Sequence, residues 1–179
     1  MNNSIVIYES KYGYTKRYAE WIAEALSCPL YEKKSVTKKN MEKADTIIYG
    51  GGLYAGGVSG VKLLIENWNL ISDKKIALFT CGLAAPEEPT VAAHLKEAMV
   101  KTFSPEMYEK ITFFHLRGGM DYSRLNLVHR GMMAMLRKVL LKKDPSELDA
   151  SDKGILETYG QTIDFTDKNT IKEIVEWAR

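Results

Sequence analysis

Short runs of consecutive apolar residues alternate along the chain with longer stretches in which apolar residues recur every three or four positions. The runs predict buried strands, and the spaced positions predict amphipathic helices. The strands are expected at residues 5–8, 46–49, 76–81 and 111–116, with a weaker, polar strand at 30–34. The helices are expected around residues 18–26, 61–68, 91–99 and 171–178. This alternation predicts an α/β fold, in which residues 1–179 form one domain with a five-stranded parallel sheet covered by helices on both faces.

An additional amphipathic segment lies between the last predicted strand and the last helix. We call residues 117–165 the insert. A basic helix of about 18 residues, ended by Asp144 and Pro145, is expected within it, and a loop over residues 146–165 is expected to follow. One face of this helix is apolar and comprises Leu125, Val128, Met132, Met135, Leu136 and Val139. The basic residues lie largely on another face and comprise Arg130, Arg137, Lys138 and Lys142.

Composition and charge narrow the class of protein. The chain has 27% charged and 45% apolar residues, which excludes a disordered or low-complexity protein. The net charge of +2 is unevenly distributed, because residues 117–143 carry +6 and the other residues carry −4. Two separated cysteines, Cys28 and Cys81, indicate neither a disulfide framework nor a zinc module. Because no apolar run has transmembrane length and the start lacks a signal-peptide pattern, a cytoplasmic protein is expected.

The loop after the first strand combines hydroxyl side chains with a glycine, directly before a helix. It consists of Ser10, Lys11, Tyr12, Gly13, Tyr14 and Thr15. Free backbone N–H groups at a helix start, together with hydroxyl donors, suit a phosphate monoester. Gly13 would permit a close backbone approach or a positive φ. The alternative is that Thr15 only caps the helix and Gly13 only makes a turn.

Small residues follow the other strands, at the edge of the sheet where open α/β folds bind ligands. Residues 50–57 formally match a dinucleotide-binding glycine pattern, but they follow an interior strand, so we expect them to lie against a flat ring. The alternative is a flexible turn. The lone Cys81 is expected to be a small core residue rather than a nucleophile. The expected cofactor-binding residues in these loops are Gly51, Gly52, Leu53, Tyr54, Ala55 and Gly56, then Cys81, Gly82, Leu83 and Ala84, and finally Gly118 and Gly119.

The sequence contains no motif of a P-loop nucleotide hydrolase, a serine hydrolase or a zinc protease. No acidic cluster has metal-ligand spacing, so no metal site is expected. The histidines, His94, His115 and His129, are scattered and are expected to be structural or solvated. No catalytic side chain is assigned. Loops suited to a ring and a phosphate, with few catalytic side chains, favour a cofactor that brings its own chemistry.

The strand at residues 5–8 and the loop from Ser10 to Thr15 resemble the strand and FMN phosphate loop of flavodoxins, whose usual form is T/S-x-T-G-x-T. The loops at residues 50–57 and 81–85 fall where flavodoxins surround the isoalloxazine ring. The resemblance covers nearly the whole chain and implies a three-layer flavodoxin-like fold with strand order 2-1-3-4-5 and FMN at the point where the order reverses. Tyr12 replaces a usual second threonine, and Tyr12, Tyr14 or Tyr54 would have to stack on the ring.

The insert is similar to that of quinone-dependent protoporphyrinogen oxidases, a branch of the flavodoxin superfamily. Members share a long basic helix after the fifth strand and a polar segment before the last helix. The resemblance implies an FMN enzyme that oxidises a porphyrinogen and reduces a quinone. Arg124, Arg130 and Arg137 would then pair with carboxylates of the anionic substrate, or the basic helix would contact a membrane surface peripherally.

Three alternatives stay open at this point. The basic helix could pack its apolar face on the sheet and expose only its charges. The chain could be a flavodoxin that carries single electrons between redox partners, although such carriers usually present acidic surfaces. The helix could also bind anionic lipid or nucleic acid without catalysis. It lacks interleaved aromatic residues, so no specific nucleic-acid binding is expected.

Overall fold

A computed structural model describes residues 3–54 and 56–179. Its centre is a parallel sheet built from the short apolar runs of the sequence. The strands of the whole described chain are β1 (Ser4–Glu9), β2 (Leu30–Glu32), β3 (Thr46–Tyr54), β4 (Gly57–Val58), β5 (Lys75–Gly82), β6 (Ile111–Arg117), β7 (Gly119–Asp121) and β8 (Thr162–Asp164). Strands β7 and β8 form a separate two-stranded sheet. The order across the sheet is β2-β1-β3-β5-β6, with all four neighbouring pairs parallel. These five strands confirm the predicted α/β sheet and its order 2-1-3-4-5 along the chain.

Both faces of the sheet are buried, because successive side chains of a strand point to opposite sides. Ile7 and Leu78 belong to a core on one side, and Val6 and Phe79 belong to a core on the other side. All four side chains are completely buried. Burying a side chain of this kind stabilises the fold by about 1.5–3 kcal/mol, which explains why these strands read as continuous apolar runs.

Helices cover both cores and complete the three layers. They are α1 (Tyr14–Leu26), α2 (Lys38–Lys43), α3 (Lys62–Glu66), α4 (Trp68–Ile71), α5 (Pro89–Thr102), α6 (Pro105–Lys110), α7 (Leu127–Leu140), α8 (Ala150–Thr158) and α9 (Lys172–Ala178). Helices α1 and α9 pack on one face through residues such as Ile22 and Ile174, whereas Leu64 and Met99 pack on the other. Within the described residues, no helix is long and apolar enough to span a membrane.

Strand β3 is longer than the sequence predicts. The prediction ends it at residue 49, but the strand continues through three glycines to Tyr54, and β4 folds back on its end. Gly50 lies against a buried ring, since a Cβ atom there would be 2.0 Å from Cζ of Phe79. Glycine weakens a strand but permits such a close approach. The alternative of a flexible turn beginning at Gly50 is therefore wrong.

The insert also contains more regular structure than predicted. Helix α7 has 14 residues rather than about 18. Residues 146–165 form α8 and β8 instead of a loop, and β8 pairs antiparallel with β7. A local cap explains where α8 begins, because the Asp149 side chain accepts a hydrogen bond from the N–H of Asp152 at 2.7 Å. The segment around this cap is polar, and a polar segment is also typical of a loop, which is why the sequence did not predict the helix.

Candidate functional site

The start of α1 presents hydrogen-bond donors without a capping side chain. Gly13 occupies the N-cap position with a φ of +98°, a left-handed conformation that favours glycine. The first helical bond runs from the N–H of Arg17 to the carbonyl of Gly13, so the N–H groups of residues 14–16 have no acceptor within the helix. Ser10 Oγ accepts from the N–H of Gly13 at 3.0 Å, which leaves the hydroxyl hydrogen to donate. These donors suit an anion such as a phosphate.

Thr15 lies inside the first turn of α1 and does not cap it. Its side chain is 4% exposed and hydrogen-bonds to the thiol of Cys81, at the end of β5. Burial raises the pKa of Cys81 to about 12. The thiol is therefore protonated at neutral pH and is not a nucleophile, in agreement with its prediction as a small core residue.

Lys11 and Tyr12 extend from the same loop to the insert. Lys11 Nζ lies 3.2 Å from Nε2 of His129, and the Tyr12 hydroxyl lies 2.7 Å from Nδ1. Because an ammonium group can only donate, Nε2 accepts and the imidazole is neutral. Burial and the neighbouring charge of Lys11 both lower the pKa of His129. The sequence predicts only a structural or solvated role for His129, because its partners lie more than a hundred positions away along the chain.

A cleft lies where these loops meet at the carboxyl ends of β1, β3 and β5. The cleft has a volume of about 170 Å³. This is more than ten times the roughly 10–15 Å³ that a cavity needs to hold a single water, so the cleft has room for a small ligand. The walls contain Ser10, Tyr12, Tyr14, Thr15, Gly52, Leu53, Tyr54, Cys81, Gly82, Leu83, Gly118, Gly119, Met120, Leu125, His129, Met132 and Met133. Backbone and aromatic surfaces of this kind suit a planar ligand.

Five of the remaining predicted cofactor residues lie beside the cleft rather than in its walls. Lys11 and Gly13 belong to the loop that leads into α1. Gly51 is buried in β3, where a Cβ atom would be 2.6 Å from the carbonyl oxygen of Ser59. Gly56 and Ala84 border an adjoining cavity. Ala55 lies outside the described residues.

Gly118 and Gly119 bring the beginning of the insert close to the sheet. The N–H of Gly118 donates to the carbonyl of Gly82 at 2.6 Å, and the Gly118 carbonyl accepts from the N–H of Phe165 at 3.0 Å. A Cβ atom on Gly118 would lie 2.6 Å from Sγ of Cys81. Glycine is the residue that permits this approach, and it lets the insert close one side of the cleft.

A second cavity adjoins the cleft on the side of the sheet that α5 covers. Its volume of about 590 Å³ is more than three times that of the cleft. Helix α7 contributes Met133 and Leu136 to its walls, and α8 contributes Gly154 and Ile155. The cleft and the second cavity share the wall residues Leu53, Gly82, Leu83, Met120 and Met133. A ligand in the second cavity would therefore lie beside a ring in the cleft.

The three arginines that the sequence predicts as substrate or membrane contacts are not brought together. Arg124 and Arg130 are exposed, and Arg130 Nη2 donates to the carbonyl of Tyr122 at 3.4 Å. The Arg137 guanidinium lies 4.9 Å from the centroid of the Tyr159 ring. None of the three belongs to the walls of the cleft or the second cavity in the described structure. Arg117, for which the sequence predicts no role, does border the second cavity. Its position at the carboxyl end of a strand is the signal that could have identified it.

Helix α7 has two apolar faces rather than the one predicted. The inner face carries Met133, Leu136 and Leu140, of which Leu140 is 2% exposed. Leu125 precedes the helix and is buried, so it does not belong to the outer face. We call the solvent-exposed apolar residues of the outer face the exposed stripe, which comprises Leu127, Val128, Met132, Met135 and Val139. Four of the six residues of the predicted apolar face are exposed, namely Val128, Met132, Met135 and Val139. The alternative in which this face packs on the sheet is therefore wrong for these four residues.

No cluster of three or more histidine, cysteine or carboxylate side chains that could hold a metal ion occurs in the described part of the chain.

Several solved structures are similar to this chain. A WrbA-like flavodoxin from Agrobacterium tumefaciens is 20% identical, with 89% of this chain and 93% of that chain covered and a TM-score of 0.45. A flavodoxin from the domain Archaea is 17% identical, with 63% and 83% covered and a TM-score of 0.40. An azoreductase from Bacillus anthracis is 10% identical, with 65% and 87% covered and a TM-score of 0.45.

The comparison with curated protein sequences finds no match. A family model does match, and it is described as the flavodoxin domain. It aligns with residues 5–149, which include the loop before α1, the cleft and helix α7. This protein therefore belongs to the flavodoxin domain family of flavin-binding proteins.

Proposed function

We propose that this protein is an FMN-dependent oxidoreductase whose substrate is a large, apolar, anionic molecule of the porphyrinogen type and whose electron acceptor is a quinone. The second cavity is the observation that carries the proposal. A protein that only passes electrons between partners needs an exposed flavin edge, whereas a cavity of this size beside the ring site suits a small-molecule substrate. The identities of the substrate and the acceptor follow from the resemblance of the insert.

FMN is the proposed flavin because phosphate donors lie at one end of the cleft and ring-sized walls at the other. The N–H groups of residues 14–16 and the Ser10 hydroxyl would hold the phosphate. Tyr54 and the backbone of Gly52 and Gly82 would border the ring. Burial raises the pKa of Tyr54 to about 12, so its phenol stays neutral beside the ring. The residues present therefore fit this cofactor.

The bound flavin would supply the electron-transfer chemistry. The chain itself contributes position and a dry environment. Met133 covers the cleft from the insert, while Leu53 and Leu83 are apolar wall residues that the cleft and the second cavity share. These side chains exclude water from the region where the ring and the substrate would meet, and they carry no group that titrates.

The exposed stripe supports a further part of the proposal, which is peripheral contact with an anionic membrane surface. Of the seven large apolar residues that are exposed in the described chain, six lie between residues 127 and 141. Arg130, Lys138 and Lys142 are exposed on the same helix or directly after it. Apolar side chains enter the boundary between headgroups and acyl chains while basic side chains meet anionic lipid. Such contact would bring the protein to the layer in which quinones dissolve.

Val139→Glu tests the membrane contact, with Val100→Glu as a matched control. Both valines are 52% exposed on helices, but Val100 lies on α5, away from the exposed stripe. Sedimentation with vesicles that contain phosphatidylglycerol should show at least about fivefold weaker binding for Val139→Glu, because a charge near such a surface is worth about 1 kcal/mol. Val100→Glu should bind as the wild type does. Equal losses in the two variants would contradict the proposal.

Turnover tests the enzymatic proposal. The FMN-loaded protein is mixed anaerobically with protoporphyrinogen and a soluble quinone, and the formation of protoporphyrin is followed by its fluorescence. We expect a rate clearly above that of a control with the same concentration of free FMN. A rate equal to the control, combined with electron transfer from a reductase to a haem protein without any small substrate, would favour the one-electron carrier instead.

A further inference from the structure

The second cavity combines apolar walls with a small group of polar side chains at the end nearest the cleft. Leu95 and Ala98 of α5 line the cavity together with Leu136 and Ile155 of the insert. The polar side chains at the strand ends are Thr80, His115 and Arg117, while Glu88 and His94 are exposed at the rim. A cavity of this composition suits a ring-containing, largely apolar ligand with one polar or charged end.

Arg117 is held in place by contacts that do not neutralise its charge. Its Nε donates to the carbonyl of Leu83 at 3.1 Å, and its guanidinium carbon lies 3.6 Å from the centroid of the Phe165 ring. Arg17, in contrast, is paired with Asp164 at 2.5 Å. No carboxylate of the described residues lies within ion-pair distance of Arg117. A fixed guanidinium plane with free N–H groups is the geometry that binds a carboxylate on two hydrogen bonds.

His115 adds a neutral polar group beside this arginine. Its Nδ1 lies 2.7 Å from Oγ1 of Thr80, which is completely buried. Within the described chain, Nε2 of His115 has no hydrogen-bond partner. Burial lowers the pKa of His115, so the ring is neutral at physiological pH and does not compete with Arg117 for an anion. Arg117 therefore supplies the positive charge of this end of the cavity.

We propose that the second cavity binds a flat, apolar carboxylate next to the flavin ring, and that Arg117 binds its carboxylate group. The inference deepens the proposed function and rests on it, because it assigns the anion contact of the substrate to Arg117 instead of Arg124, Arg130 and Arg137. The apolar walls take the ring system of the ligand. The shared walls at Leu53 and Leu83 place that ring system against the cleft.

Gly154 offers a way to fill the cavity without disturbing its walls. It lies in α8 and borders the cavity, and a Cβ atom there would meet no atom within 4 Å. Gly131 in α7 also has no atom within 4 Å of a Cβ position, but it is exposed and borders neither the cleft nor the second cavity. Leucine has a higher helix propensity than glycine, so neither substitution should destabilise its helix. Gly154→Leu and Gly131→Leu therefore form a matched pair.

The test measures binding of two fluorescent probes to the FMN-loaded protein. Pyrenebutyrate carries an apolar ring system and a carboxylate, and pyrenebutanol carries the same ring system without the charge. Arg117→Met should weaken pyrenebutyrate binding by about ten- to hundredfold, the value of a hydrogen-bonded charge, and should change pyrenebutanol binding by less than about threefold. Gly154→Leu should weaken the binding of both probes, and Gly131→Leu should leave both unchanged.

Several results would overturn the inference. These are equal losses of both probes in Arg117→Met, unchanged binding in Gly154→Leu, or a selective loss of pyrenebutyrate in Arg137→Met that equals or exceeds the loss in Arg117→Met. The filled cavity in Gly154→Leu keeps the test decisive if Arg117→Met does not fold. Probe binding requires no turnover. If binding depends on Arg117 while protoporphyrinogen is not oxidised, the cavity assignment stands and the proposed substrate fails.

Discussion

Gly13→Ala tests whether the loop before α1 holds the phosphate of the cofactor. Gly13 has a φ of +98°, and a Cβ atom there would meet no atom within 4 Å. The added methyl group therefore causes no clash, and the substitution acts through the backbone alone. In the free protein the loop can relax to a negative φ, which moves the N–H groups of residues 14–16. Binding must then restore the left-handed conformation, so its strain is subtracted from the binding free energy.

The expected magnitude follows from that strain. A non-glycine residue in a left-handed conformation costs about 1–2 kcal/mol. Because about 1.4 kcal/mol corresponds to a factor of ten, the Kd for FMN should rise by about five- to thirtyfold in Gly13→Ala. The measurement is a titration of the FMN-free protein with FMN, in which the quenching of FMN fluorescence reports binding.

Gly160→Ala is the control for backbone strain away from the site. Gly160 has a φ of +81°, also meets no atom within 4 Å of its Cβ position, and borders neither the cleft nor the second cavity. Gly160→Ala should reduce the free energy of unfolding by about 1–2 kcal/mol, the cost of the left-handed conformation. It should leave the Kd for FMN unchanged. Equal increases of the Kd in both variants, or no increase in Gly13→Ala, would refute the reasoning.

Two further predictions concern the insert and the core. Burial and the charge of Lys11 lower the pKa of His129 when α7 is packed against the loop before α1. Below about pH 6.5, His129 therefore binds a proton more readily when α7 is detached from that loop than when it is packed there. Hydrogen exchange in α7, corrected for intrinsic rates, should therefore increase from pH 7.5 to pH 5.5 in the wild type and less in His129→Gln; equal increases would contradict this. Gly50→Ala should lower the free energy of unfolding by about 1–3 kcal/mol in urea, because its methyl group overlaps the Phe79 ring. The cost should be smaller in a Phe79→Leu background, and an unchanged cost would argue against the overlap.

The sheet could be predicted because its strands are buried on both faces. Residues 76–81 form an unbroken apolar run apart from Thr80, and burial on both faces requires nearly every residue to be apolar. The end of β3 could not be predicted in the same way. A run of glycines is typical of a turn, and only the position of the Phe79 ring across the sheet shows why Gly50 belongs to a strand.

The insert was harder to predict because its partners lie within the insert or far away along the chain. Helix α8 and strand β8 are only partly buried, so their apolar positions are few and the segment resembles a loop. The periodicity of α7 indicates an amphipathic helix but not which side faces the protein. Contacts such as Lys11 with His129, 118 positions apart, determine that side.

One part of the candidate site could be predicted from the sequence, and another part could not. The loops from Ser10 to Thr15 and from Gly82 to Leu83 could be predicted, since the carboxyl ends of parallel strands meet at one edge of the sheet. The second cavity could not, because it exists only where α5 faces α7 and α8 across the sheet edge. Arg117 can be identified as a candidate ligand contact only from its position in this cavity. The distribution of charge along the chain instead favours the exposed arginines of the insert as ligand contacts.

The central claim is that the cleft holds a flavin by its phosphate as well as by its ring. Titration of the flavin-free protein with FMN and with riboflavin, which lacks the phosphate, tests this claim most directly. The account predicts saturable binding of one FMN per chain and at least about tenfold weaker binding of riboflavin, because hydrogen bonds to a charged group contribute about 1.5–3 kcal/mol. Equal affinities for the two flavins, or no saturable binding of FMN, would contradict it.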